Sequence, residues 1–135
     1  MIQLLSAIAT AFFIILFTTV LAKHFSTRLV AATILCSIAF IYVGFSLMGN
    51  SVKSIVLEVS VALVFYLIAV TGFSKNYSLI AYGIVLHGIW DMLHHNSFLL
   101  VRTQIPDYWP LFCFITDIIC GVYFFIALRP KTKKI

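Results

Sequence analysis

Only four residues of the chain are acidic, and three of them, Glu58, Asp91 and Asp117, fall inside long apolar runs. Three of the four histidines, His87, His94 and His95, share one such run. Ionisable side chains in hydrocarbon are costly unless paired or hydrated, so each marks a candidate functional position. The competing explanation is polar glue between helices, which a single buried polar residue would favour and six make less comfortable. Spacing sharpens the choice. At about 100° per residue, His87, Asp91, His94 and His95 fall within an arc of roughly 100° on one helix. Asp91 then has histidines at i−4, i+3 and i+4. Neutral imidazoles and carboxylates so spaced suit a divalent metal, zinc or iron. His87, Asp91, His94, His95 and Asp117 are the candidate ligands, with Asp91 either a ligand or the group that orients a histidine. Glu58 and Asp117 are the candidate catalytic groups, completing the shell or acting as general base. Cys113, at i−4 from Asp117, is a weaker ligand. A metal-free acid–base site or proton relay, and purely structural polar packing, stand as alternatives.

The elements that must position these residues are membrane helices. The chain is 63% hydrophobic and 10% charged over 135 residues, with a mean hydropathy of +1.13. A soluble domain carries about 25% charged residues, which excludes a water-soluble globule. A transmembrane barrel would show segments of about ten residues alternating apolar and polar, and the long unbroken runs here are helical instead. The expected fold is all-α, a single integral membrane domain of five transmembrane helices over about residues 4–22, 29–48, 55–73, 79–95 and 111–128. The first span has no basic segment before it and outruns the apolar core of a signal peptide, so it reads as a membrane helix. The odd number of cysteines, Cys36, Cys113 and Cys120, all lie in apolar runs and read as small buried hydrophobes rather than a disulfide framework.

Seven of the nine Lys and Arg residues fall on one side of such a bundle: Lys23, Arg28, Lys75, Arg129, Lys131, Lys133 and Lys134. Lys53 and Arg102 fall on the other. The bias predicts the N-terminus outside and the C-terminus in the cytoplasm. The basic tail serves topology and anionic lipid, and no nucleic-acid partner is expected. In the long connection before the last span, Tyr108 and Trp109 suit a headgroup belt, and Phe98–Val101 is a candidate interfacial stretch. Under this topology Glu58, His87, Asp91, His94, His95 and Asp117 all gather in the outer half of the bilayer, on three different helices, with Tyr42 at a similar level. Asp117 would lie roughly 9 Å in at about 1.5 Å per residue.

The string Leu86-His87-Gly88-Ile89-Trp90-Asp91-Met92-Leu93-His94-His95, followed in the next span by Cys113-x-x-x-Asp117 with Pro106 and Pro110 before it, resembles a family of small bacterial inner-membrane proteins of unknown function. Tyr42, Gly44 and Glu58 match the same pattern, so the likeness covers nearly the whole chain. It implies a multi-pass protein of the bacterial inner (plasma) membrane and carries no activity. Asp91-x-x-His94-His95 is also similar to one histidine box of membrane desaturases and hydroxylases, with Asp in place of the first His; those enzymes need several such boxes, and this chain has four histidines. Intramembrane zinc hydrolases such as the alkaline ceramidases have a similar inventory of His and Asp, with more spans.

Three functional readings follow. The leading one is a metal-dependent, hydrolase-like enzyme acting on a lipid or other apolar substrate. The second is a small proton- or cation-coupled transporter or binding protein, which with five spans would need a homodimer. The third is a structural membrane subunit. Membrane lipids are the expected partners in all three.

Overall fold

A computed structural model of the chain describes residues 2–48, 51–95 and 103–129. The Phe98–Val101 stretch, Arg102 and the basic tail residues Lys131, Lys133 and Lys134 lie outside the described residues. The described residues form helices and no strands: α1 (Ile2–Leu21), α2 (Thr27–Ala39), α3 (Ile41–Ser46), α4 (Val52–Ser74), α5 (Ser78–Leu93) and α6 (Trp109–Ala127). Helix starts follow local chemistry. The Ser26 hydroxyl accepts from Leu29 N at 3.2 Å and Ser51 from Ser54 N at 3.3 Å, each satisfying a donor that the first turn leaves free. Pro110 sits in the first turn of α6, where its missing N–H costs nothing.

Four spans are long and apolar enough to cross a membrane: Ile2–Leu21, Thr27–Ser46, Val52–Ser74 and Trp109–Ala127. The chain is a multi-pass membrane protein by this measure. The second span is two helices in series, α2 and α3, meeting at Phe40 (φ −91°, ψ −2°). The fifth expected span differs. α5 has 16 residues, about 24 Å at 1.5 Å per residue, and stops at Leu93 rather than running on through His95. His94 becomes its C-cap, and its amide bonds back to Asp91 O at 3.0 Å.

α5 can be short because it is the most enclosed helix. It packs on α6, α4 and α2, and seven of its residues are buried, against three in the longer α1. Apolar contacts gain little from burial when the solvent is lipid, so close backbone approach has to hold the helices together. The interior is accordingly small-residue: Ala7, Ala11, Ala31, Ala62, Ala69 and Ala81 are all buried. At Gly121 a methyl group would fall 2.5 Å from Val85 Cγ2, and at Gly88 it would fall 3.2 Å from Asp117 Cβ and 3.4 Å from the Phe114 carbonyl. These two glycines let α5 and α6 meet. Large apolar side chains point outward instead, among them Phe12, Phe13, Leu67 and Ile126.

The bundle has two unlike ends. At one, Arg28 donates from Nη1 to the Phe73 carbonyl at 3.2 Å and lies over the Tyr77 ring at 5.2 Å, joining the start of α2 to the end of α4. At the other, Thr116 Oγ1 donates to the Ala7 carbonyl, placing the start of α6 beside the start of α1. This second end also holds the start of α4 and the end of α5, and with them the ionisable residues.

Candidate metal centre

Glu58 is buried by its place on the inward face of α4, in line with Ala62, Phe65 and Ala69 at helical spacing. On α5 the inward face carries Ile80, Ile84, His87, Gly88 and Asp91, an apolar stripe that turns polar in its last two turns. Asp117 sits on the buried face of α6 with Cys120, Gly121 and Phe124. The side chains of Glu58, His87, Asp91, His94 and Asp117 are all at most 6% exposed.

They form two units, each built on one imidazole. In the first, His94 Nε2 lies 2.8 Å from Glu58 Oε1, and His94 Nδ1 lies 3.0 Å from the Trp90 carbonyl. A carbonyl only accepts, so Nδ1 carries a proton. The Thr103 hydroxyl donates to the same Glu58 oxygen at 2.5 Å. One proton therefore lies between Nε2 and Oε1, and the pair is neutral as a unit whichever atom holds it. Both nitrogens of this imidazole are in use.

The second unit is His87 with two carboxylates. His87 Nδ1 is 2.8 Å from Asp117 Oδ2 and 3.6 Å from Asp91 Oδ2. Nδ1–H can donate only to the nearer. Among the described residues Asp91, fully buried, has no close hydrogen bond on either oxygen, and His87 Nε2 has none. With both carboxylates ionised, even an imidazolium leaves one negative charge uncompensated. A buried charge without a partner costs several kcal/mol, so this unit calls for a cation or a further proton.

The geometry suits a cation. One ligand atom from each of His87, Asp91 and Asp117 lies within 4.8 Å of the others. Tetrahedral zinc at about 2.0–2.1 Å from N and O ligands sets those ligands roughly 3.3 Å apart. The two His87 Nδ1 distances, 2.8 and 3.6 Å, lie on either side of that value, and Nδ1 would exchange its proton and its hydrogen bond to Asp117 for the metal. The chain belongs to a family of unknown function, DUF6010. The family model matches residues 2–130. No curated protein and no solved structure matches the chain.

Among the residues expected from the sequence, the structure thus brings His87, Asp91 and Asp117 into one group, and sets His94 and Glu58 beside it as a hydrogen-bonded pair. His95 is half-buried just past the end of α5 and outside the three-residue group. Tyr42 joins the two units. Its ring stacks on His94 with centroids 4.1 Å apart and stands 6.2 Å from the His87 ring, and its buried hydroxyl faces the Asp91 carboxylate, with no closer partner among the described residues. Glu58 Oε2 is likewise buried and unpartnered. Thr103 was not foreseeable, because a threonine in a connecting segment carries no signal of its target 45 residues away. Two aromatic rings close the sides: Phe65 packs edge-on to His87 at 5.1 Å and Trp90 edge-on to His94 at 5.2 Å.

Proposed function

We propose that this protein is a metal-dependent, hydrolase-like enzyme of the bacterial inner membrane, acting on a lipid or similar apolar substrate. The observation that carries the reading is Asp91: fully buried, with no close hydrogen bond on either oxygen among the described residues, and grouped with His87 and Asp117. His87, Asp91 and Asp117 are the ligands in this reading. Three protein ligands with a position left open is the pattern of catalytic zinc sites. A divalent cation held there would polarise a carbonyl or lower the pKa of a bound water.

The residues around it have distinct tasks. Glu58, fixed through Oε1 by Thr103 and His94, has Oε2 free to take a proton, and is the general base. His94 holds that carboxylate in place and shares its proton. The Tyr42 hydroxyl faces Asp91 and is placed to orient that carboxylate as a donor to it. The bias of Lys and Arg supports the site end of the bundle facing outside and the C-terminus facing the cytoplasm.

The test is hydrolysis by the purified full chain. Ester and amide lipids in phosphatidylcholine nanodiscs should be cleaved after loading with zinc or iron, and cleavage should stop on chelation and return on reloading. Cleavage that survives removal of the metal would end this reading. A second reading has one observation behind it, the single proton shared by Glu58 and His94 next to a carboxylate-rich group. Proton or cation coupling built on that pair would give pH-dependent flux in liposomes, with no product formed from any lipid.

A further inference from the structure

An apolar groove of about 310 Å³ runs along the outside of α4 and α5 at the site end. Its floor includes Phe65 and Trp90, the two rings that pack on His87 and His94. Its rims are Val64, Leu86 and Ile89, which are 55, 50 and 48% exposed, so it opens sideways rather than toward either end of the bundle. Val64 and Leu86 lie well inside their helices, at the depth of hydrocarbon. Among the described residues its walls carry no charged or hydroxyl group, which leaves no partner there for a headgroup. The groove and the polar cluster thus share two residues, Phe65 and Trp90, each of which lines the groove and packs on an imidazole.

We propose that this groove holds one alkyl chain of the substrate, a lipid that approaches from within the bilayer between α4 and α5 with its ester or amide linkage toward His87 and His94. The proposal rests on the hydrolytic reading and names its substrate class: a membrane lipid presented chain-first from the side, not a soluble molecule arriving from the aqueous phase. An alkyl chain suits it because the described lining is wholly apolar. The carbonyl end, which needs polar partners, would reach the buried Glu58 Oε2 only if the Phe65 and Trp90 rings, which close the cluster off from the groove, turn aside. Phe65 and Trp90 are positioning residues here: they set where the chain stops.

The two tryptophans of the chain supply the probe. In a Trp109→Phe variant, Trp90 is the sole indole. The full chain in phosphatidylcholine nanodiscs is titrated with a fatty acid brominated along its chain, which quenches indole fluorescence on contact. Saturable quenching of Trp90 is expected, with at least tenfold weaker half-saturation once Val64→Phe and Leu86→Phe narrow the groove and bound metal stays unchanged. Quenching that rises in simple proportion to the brominated lipid, equally in both proteins, would overturn the proposal, because the groove would then be ordinary lipid-facing surface. Loss of metal in the narrowed variant would overturn it too, since the groove would be part of the metal centre's support. Saturable quenching in a protein that binds no metal at all would leave the groove standing and sink the hydrolytic reading instead.

Discussion

Two histidine–carboxylate units lie side by side in this bundle, and they are built to opposite rules. Around His94 nearly everything is closed: both ring nitrogens, Glu58 Oε1 and the Thr103 hydroxyl have partners, the charges cancel, and Glu58 Oε2 alone is left over. Around His87 three of the six side-chain polar atoms of His87, Asp91 and Asp117 are buried without a close hydrogen bond among the described residues, and two carboxylates face one imidazole. Helix glue would be expected to look like the first unit everywhere, because a half-satisfied buried network is worse than an apolar one. The contrast separates scaffold from site. The closed unit fixes geometry, and the open unit is the one that could hold a metal ion.

Substitutions can break this contrast. Asp91→Asn should have the largest effect. A cation present at about 100 times its Kd stabilises by about 2.7 kcal/mol, and that contribution should vanish with the bound metal, lowering the midpoint of thermal unfolding in detergent. With no cation, the same change would relieve an unpaired buried charge, and stability would hold or rise. The sign of the shift decides. Glu58→Gln comes next, because glutamine can still bond Thr103 and His94 but cannot take a proton. Hydrolysis should fall about 100-fold or more while metal content and unfolding midpoint change little, as assayed on the same preparations.

Gly88→Ala tests the open unit through the backbone. The added methyl group would crowd Asp117 Cβ at 3.2 Å and the Phe114 carbonyl at 3.4 Å, so α5 and α6 must part by a few tenths of an ångström. Competition against a fluorescent zinc chelator should show affinity lowered about tenfold, equivalent to about 1.4 kcal/mol. Thr103→Val should be mildest. It removes one hydrogen bond from the closed unit and should cost about 1 kcal/mol of stability with metal binding unaltered. A larger effect of Thr103→Val than of Asp91→Asn would reverse the assignment of the two units.

Much of this was legible in the sequence, for physical reasons. Long apolar runs announce helices in lipid, and Glu58, His87, Asp91 and Asp117 stand out because hydrocarbon tolerates so few ionisable groups. Helical period put His87, Asp91, His94 and His95 on one stripe, and their depth brought the stripe level with Glu58 and Asp117. What the period could not show was the end of α5. The helix stops at Leu93, so His94 turns toward Glu58 as a cap residue and His95 lies past the helix. Nor could it show partners: that Asp117 takes His87, that Glu58 takes His94, and that Thr103 completes the second pair all depend on the packing of α4, α5 and α6. The short α5 has the same origin. A helix surrounded by its neighbours need not match the bilayer's thickness by itself.

The central claim is that the His87 unit holds a metal ion and the His94 unit does not. Elemental analysis of the full chain, purified without chelator beside its Asp91→Asn and Glu58→Gln variants, addresses it most directly. The account predicts about one divalent transition-metal ion per chain in the unaltered protein and in Glu58→Gln, and almost none in Asp91→Asn. A ratio near zero in all three after loading with zinc or iron, or equal ratios in all three, would contradict it.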